Sequence, residues 1–256
     1  MRPRRVVSLC PSITETLVAI GARDLLVAAT RYCTRPRGVL RGLPRVGGTK
    51  DPDVAAILDL HPDLVFANRE ENRAEDVARL EARGVAVDVS YPRRVSDVPE
   101  DVRGFGRRLG GAFAGAAEAL AARIESETAA LATLPARGAF RYAYWIWREP
   151  WMTVSDDTYV ADLLRLAGGV NAHGDAPDRY PETTPEESLA LGAAVNFFPD
   201  EPYPFSSRRH GDEIARRFGP ETRRLFVPGD DFCWHGARTL EGLAAARALR
   251  RELLAG

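Results

Sequence analysis

A chain of 256 residues, 45% hydrophobic and 28% charged, is ordinary globular material with enough apolar content for one large core or two small ones. A formal net charge of −1 gives no basic field to draw it to nucleic acid or an anionic membrane. No stretch approaches the ~20 apolar residues of a membrane span, and three widely spaced cysteines (Cys10, Cys33, Cys233) do not make a disulfide framework.

The opening Met1-Arg-Pro-Arg-Arg-Val-Val-Ser-Leu-Cys10 imitates a secretion leader. Its apolar run is short, however, and Pro11, Ser12, Thr14 and Glu15 follow at once. Leu9 is not the small residue that precedes a lipid-anchored cysteine. The chain as given therefore reads as cytoplasmic. Arg4 to Leu9 is predicted as a short buried strand, and Ser12-Ile-Thr-Glu15 has the spacing of a capping box opening a helix to Ile20, stopped by Gly21. A second strand runs from Leu25 to Thr30. Asp51-Pro52 opens a helix to Leu60 with proline in its first position, and strand Leu64–Ala67 follows. A helix to Arg83, strand Val85–Val89, and a helix marked by Val98, Val102, Phe105 and Leu109 complete the first half. Strands alternating with helices imply a mostly parallel sheet covered on both faces.

From Gly115 to Leu134 the pattern changes. Ala117, Leu120, Ala121, Ile124 and Leu131 recur at helical spacing, with Glu118, Arg123, Glu125 and Glu127 on the other face. Roughly twenty such residues at ~1.5 Å each make a rod of about 30 Å. Pro135 and Gly138 end it. The second half then offers strand Phe140–Trp147, helices near Tyr159–Ala167 and Pro185–Leu191, and strand Ala194–Phe198. A helix near Arg209–Phe218, strand Leu225–Val227 and helix Thr239–Leu253 finish the chain. Ile57 to Phe66 and Leu189 to Phe198 share a short echo of helix end, tight turn and strand. The expected organisation is two α/β lobes, 1–111 and 138–256, joined by a backbone helix within 112–137, with function in a cleft between the lobes.

Parallel sheets bind ligands outside the carboxyl ends of their strands. In the first lobe those loops carry Cys10, Arg31, Tyr32, Cys33, Asn68, Arg69 and Glu70; in the second they carry Trp145, Trp147, Trp151, Tyr203, Phe232, Trp234 and His235. Large aromatics among a few polar groups suit a flat or bulky organic ligand. Trp145 and Trp147 alternate on a strand, so a shared core layer is the competing reading for them. Trp151 and Trp234 sit among Pro, Asp and Gly, which favours a cleft wall facing Tyr32 and Cys33.

Cys10, Cys33, Cys233 and His235 carry donor atoms suited to a transition metal, although no C-x₂-C spacing supports it and lone cysteines are often small inert hydrophobes. His235 alone as an axial ligand or hydrogen-bond donor to a bound cofactor, or as a structural histidine, is the alternative. A nucleophilic Cys10 or Cys33 with His235 and a carboxylate is a further option. Phosphate-loop, dinucleotide-loop, G-x-S-x-G and H-E-x-x-H signatures are missing.

Arg5-Val-Val-Ser-Leu-Cys-Pro-Ser-Ile-Thr-Glu-Thr-Leu-Val-Ala-Ile-Gly21 resembles the opening of class III substrate-binding proteins of ABC importers. Pro44-Arg-Val-Gly-Gly-Thr, Ile57 to Ala67, and Asp162-Leu-Leu-Arg-Leu-Ala-Gly-Gly-Val-Asn171 extend the likeness in order over nearly the whole chain. The family binds cobalamin, haem, ferric siderophores or bare metal ions, and the likeness is greatest to its cobalamin-binding branch. The resemblance implies two mostly parallel α/β lobes on a long backbone helix, with little hinge motion on binding. Its implied ligand is cobalamin or another metal chelate, ahead of a bare transition metal ion. It also implies an ABC permease as partner to an otherwise monomeric receptor. In the importers acidic residues on each lobe dock onto permease arginines; Glu75 and Glu186 lie near the corresponding helix starts, where favourable first-turn charge is the competing reading. An enzyme using the same cleft for acid–base or metal-assisted chemistry is the alternative function, motivated by the cytoplasmic reading.

Overall fold

Short runs of buried apolar residues make the central strands of both sheets. In the computed structural model, which describes residues 2–135 and 138–254, β1 (Val6–Ser8) and β3 (Leu64–Asn68) are buried along their whole length. Strands covered on both faces read as continuous apolar runs rather than alternating ones. With β2 (Leu26–Ala29) and β4 (Ala86–Ser90) they form a four-stranded parallel sheet of order β2-β1-β3-β4. Helices α1 (Pro11–Ala19), α2 (Val54–Asp59), α3 (Ala74–Glu81) and α4 (Val98–Leu109) accompany it. Val7, Leu9, Ala28, Ile57, Val65 and Leu80 share one core cluster.

The second half repeats the plan. β5 (Phe140–Tyr144), β6 (Gly169–Asn171), β7 (Val195–Pro199) and β8 (Arg223–Val227) form a parallel sheet of order β6-β5-β7-β8. Between and after them run α6 (Tyr159–Leu166), α7 (Pro185–Ala190), α8 (Ser207–Phe218), the short α9 (Gly229–Cys233) and α10 (Thr239–Leu254). Its core is aromatic: Trp145, Trp151, Phe198, Phe205 and Phe218 pack with Ile214. The echo noted in sequence is α2 leading into β3 and α7 leading into β7, the same step of the two sheets. Both helices are capped by a side chain: Asp53 accepts from the Ala56 N–H, and Thr184 forms a full capping box with Glu187.

The long helix α5 (Ala112–Ala132) forms where expected, with Ala117, Ala121, Ile124 and Leu131 buried. Residues 136–137, the end of the expected linker, lie outside the described residues. Gly106 lets α4 meet α5, since a Cβ there would lie 2.4 Å from the Ala117 Cβ. The chain divides into two compact units. The first is Met1–Pro92, Ser96–Ser126 and His235–Arg238; the second is Arg93–Val95, Glu127–Trp234 and Thr239–Gly256. The segment His235–Arg238 thus leaves the second half of the chain for the first unit. Arg238 makes a bidentate ion pair with Glu15, and the Ala237 N–H donates to Thr16 Oγ1 at 2.9 Å.

Several boundaries differ from the sequence expectation. Ser12 is not the cap of α1: Pro11 takes the first helical position, Cys10 is the N-cap without a side-chain bond, and Glu15 is engaged by Arg238. The second helix begins at Val54, because Asp53 rather than Asp51 caps it, while Pro52 bridges to Gly47. The strand expected to reach Trp147 ends at Tyr144. Neither β6, a three-residue edge strand, nor α9 was legible as an element.

Candidate functional site

At the carboxyl end of the first sheet a buried polar network joins the loops after β1 and β3 to residue 235. Asn68 Oδ1 accepts the N–H groups of Glu70 (2.9 Å) and Glu71 (3.2 Å), which fixes the orientation of the amide. Its Nδ2 therefore points at Ser90 and at His235 Nε2, 3.2 Å away. An amide N–H only donates, so Nε2 carries a lone pair and His235 is the neutral tautomer protonated on Nδ1. Ser12 Oγ lies 3.3 Å from the same nitrogen and Cys10 Sγ 3.2 Å from Ser12 Oγ, so hydroxyl and thiol donate in turn toward the imidazole. Burial holds His235 down to about 4. Burial, reinforced by the Glu71 carboxylate, pushes the Cys10 thiol up to about 12. This network keeps a thiol protonated and an imidazole neutral.

Around it the rim is exposed and cationic. Tyr32, 52% exposed, lies under the Arg31 guanidinium at 5.0 Å, and Arg31 is in turn bound by Asp51 at 3.0 Å. Arg69 stands over the Tyr91 ring at 5.0 Å and pairs with no carboxylate among the described residues. Lys50 Nζ donates to the Glu70 carbonyl. Two arginine–tyrosine pairs at strand ends present π faces and N–H donors together, the chemistry that meets a conjugated ring system bearing anionic or carbonyl groups.

In the second unit the tryptophans divide. Trp145 is fully buried, donates from Nε1 to Asn196 Oδ1 at 3.0 Å, and meets Trp151 edge-on at 5.2 Å. Trp151 stacks on Phe205 at 5.9 Å and belongs to the core cluster, as Phe232 is buried against Tyr144 and Phe197. The expectation that Trp145, Trp151 and Phe232 line a ligand surface is corrected accordingly. Trp147 is different: it is 42% exposed and edge-on to Tyr203 at 5.5 Å. Antiparallel bridges Trp147–Met152 and Met152–Glu182 hold its turn, and Arg148 ties that turn to α8 through Glu213 at 2.9 Å. Trp234 is half-buried and bonds the Glu201 carboxyl, which burial and then Asp230 push up to about 7. Gly229 makes room there, since a Cβ would lie 2.4 Å from Glu201 Cγ.

The cysteines do not form a metal site. Among the described residues no group of three or more His, Cys, Asp or Glu side chains is arranged to hold a metal ion. Cys33 is fully buried, receives Thr14 Oγ1 at 3.0 Å, and has its pKa raised by burial. Cys233 donates to the Gly229 carbonyl at 3.0 Å and toward Glu201 at 3.6 Å. Cys10 and His235 are committed to the Ser12–Asn68 network, so neither they nor Cys33 act as exposed ligands or nucleophiles. The residues missed in sequence are Glu15 and Arg238, whose pairing brings residue 235 to the first sheet; no local pattern marks a partner more than 200 residues away.

Two parallel α/β sheets of the same strand order define a substrate-binding protein of the class III type. The sequence profile of the periplasmic binding protein family matches residues 6–198, and the chain belongs to that family. It is 27% identical over 195 residues to the vitamin B12-binding protein of Vibrio cholerae, covering 75% of this chain and 69% of the relative. The crystal structure of the periplasmic vitamin B12 binding protein of the same species superposes with a TM-score of 0.82 over 98% of this chain and 97% of the other, at 22% identity. A periplasmic heme-binding protein from Roseiflexus sp. RS-1 gives 0.84 over 97% and 98%, at 23% identity. The chain is a ligand-binding protein. The cytoplasmic reading is overturned by its membership of a family of periplasmic binding proteins, and with it goes the motive for the enzyme alternative. No helix among the described residues is long and apolar enough to cross a membrane.

Proposed function

We propose that the chain captures a cobalamin-like ligand or a related metal chelate and passes it to an ABC permease. The observation that carries this is the likeness, over three quarters of the chain, to proteins that bind vitamin B12. The first-unit rim supports it: Tyr32, Tyr91, Arg31 and Arg69 suit a large conjugated ligand with peripheral polar groups, and Asn68 and His235 hold that rim in place from below. Arg69, which pairs with no carboxylate among the described residues, is the contact for an anionic or carbonyl substituent. In the second unit the exposed Trp147 and the half-buried Tyr203 and Trp234 offer the same chemistry on their own edge. A bare metal ion is the poorer candidate, given the donor sets present.

Glu75 and Glu186 are the proposed docking residues for the permease. Each is exposed in the first turn of its helix, α3 and α7, and neither pairs with a cation among the described residues, so its carboxylate can meet an arginine directly. The test of ligand class is a titration of cyanocobalamin, haemin and ferric chelates, followed by tryptophan fluorescence and ligand absorbance. Saturable quenching by one of them at micromolar concentration is expected. No response to any of the three overturns the proposal.

A further inference from the structure

The second unit has a cavity of ≈ 410 Å³ at the β6 edge of its sheet, where the turn after β6 and the end of the loop after β5 meet the start of β5 and the end of α7. Its walls hold charges of both signs: Arg141 from β5, Asp156 from the loop before α6, and Asp175 from the turn after β6. Val170 and Leu191, each 45% exposed, give it an apolar lip. His173 forms part of the lining; it is buried, lies 2.6 Å from Ser188 Oγ through Nε2, and burial pushes its pKa below the usual histidine value.

The charged groups line one hollow without neutralising one another. Arg141 Nε donates to the Leu191 carbonyl at 2.5 Å, which fixes the guanidinium plane and leaves the paired terminal nitrogens open. Among the described residues no carboxylate pairs with Arg141, and no cation pairs with Asp156 or Asp175. Elsewhere in this unit arginines do find carboxylates, as Arg148 finds Glu213 and Arg247 finds Glu127. An open pair of parallel N–H groups is the geometry that takes a carboxylate in two bonds. Two carboxylates without a partner in the same hollow are the complement of an ammonium.

We propose that this cavity binds a small zwitterion of the α-amino acid class. Its carboxylate sits on the terminal nitrogens of Arg141, its ammonium on Asp156 and Asp175, and an apolar side chain on Val170 and Leu191. The cavity is at the small end of the ~300–1,000 Å³ of ligand pockets, which suits an amino acid and excludes a tetrapyrrole. The site is independent of the ligand proposed above, so cobalamin or haemin binding is untouched by its occupancy. The test uses the full ¹⁵N-labelled chain and L-leucine, following the amide resonances of Val170, His173 and Gly174. Saturable shifts confined to this region are expected, in the millimolar range because the charged groups are solvated. Arg141→Gln and Asp156→Asn should each weaken binding about tenfold. Leucine amide and N-acetyl-leucine, each lacking one charge, should bind as weakly as those variants and keep the test intact if a variant unfolds. Absence of saturable shifts overturns the proposal. So does an equal response to N-acetyl-leucine, which would mark a simple anion site.

Discussion

In the first unit the loops after the first and third strands close over hydrogen bonds, with Cys10, Ser12, His235 and Asn68 in one buried chain. In the second, the loops after the same two steps of the sheet close over packed rings, with Trp145, Trp151 and Phe205 in contact. The strand orders are identical. What sets the order is the pair of central strands in each sheet, buried throughout except at Arg141 of β5; what sets the edge chemistry is the handful of residues that follow them. A repeated architecture therefore carries two unlike carboxyl-end edges, one polar below with an arginine–tyrosine rim, the other aromatic below with a single exposed tryptophan.

The comparison is broken most severely by cutting into the aromatic side. Trp151→Ala removes a core ring and should cost about 3–5 kcal/mol, whereas Trp147→Ala, four residues earlier and exposed, should stay within about 0.5 kcal/mol. Denaturant unfolding of both variants measures the difference, and similar losses would mean that the two rings are not distinguished by packing. The polar side breaks with acid instead. His235 has a folded pKa of about 4 against an ordinary 6.5, so between those values the unfolded chain takes up a proton that the folded one refuses. Stability of the first unit should then be full above pH 6.5 and fall as pH drops toward 4, by up to roughly 3 kcal/mol. His235→Gln should flatten that slope in melts recorded across the range. Next in size is the pair that brings residue 235 there. Arg238→Leu strands the largely buried Glu15 carboxylate and should cost about 2–3 kcal/mol, less than a fully buried pair because both partners keep some exposure. Adding Glu15→Leu should recover most of the loss, which a double-mutant cycle reads directly. The smallest effects test where the units agree: Asp53→Ala and Thr184→Ala, caps of equivalent helices, should each cost about 1 kcal/mol, and markedly unequal costs would argue against equivalent caps.

The strands most plainly legible in sequence were those buried on both faces, such as Leu64–Phe66 and Val195–Phe198, because nothing but burial explains a run of that kind; the partly exposed β4 and β8 were legible from their β-branched and apolar residues. Gly169–Asn171 was illegible because an edge strand of three residues with glycine first carries no apolar pattern, and its pairing with β5 is long-range information. Ser12 looked like a helix cap because the capping pattern is local, while the residues that recruit Ser12 and Glu15 are near the other end of the chain. Trp151 misled for a related reason: Pro150 and the turn around it show that the backbone reverses, not that the ring points inward to Phe205 and Phe218. That Tyr32, Arg31 and Arg69 are exposed beyond strand ends was legible because polar residues directly after a buried strand have only the edge of the sheet to occupy; that they form a ligand rim is the proposal.

The rim is where the account stands or falls. Calorimetric titration of cyanocobalamin and haemin into the wild-type chain, Tyr32→Ala and Arg69→Ala, with a thermal melt of each, tests it most directly. The account expects one of the two ligands to bind the wild type with micromolar affinity or tighter, and each substitution to weaken that binding about tenfold while leaving the melting temperature in place. Binding that neither substitution alters would contradict it, as would no binding heat from either ligand.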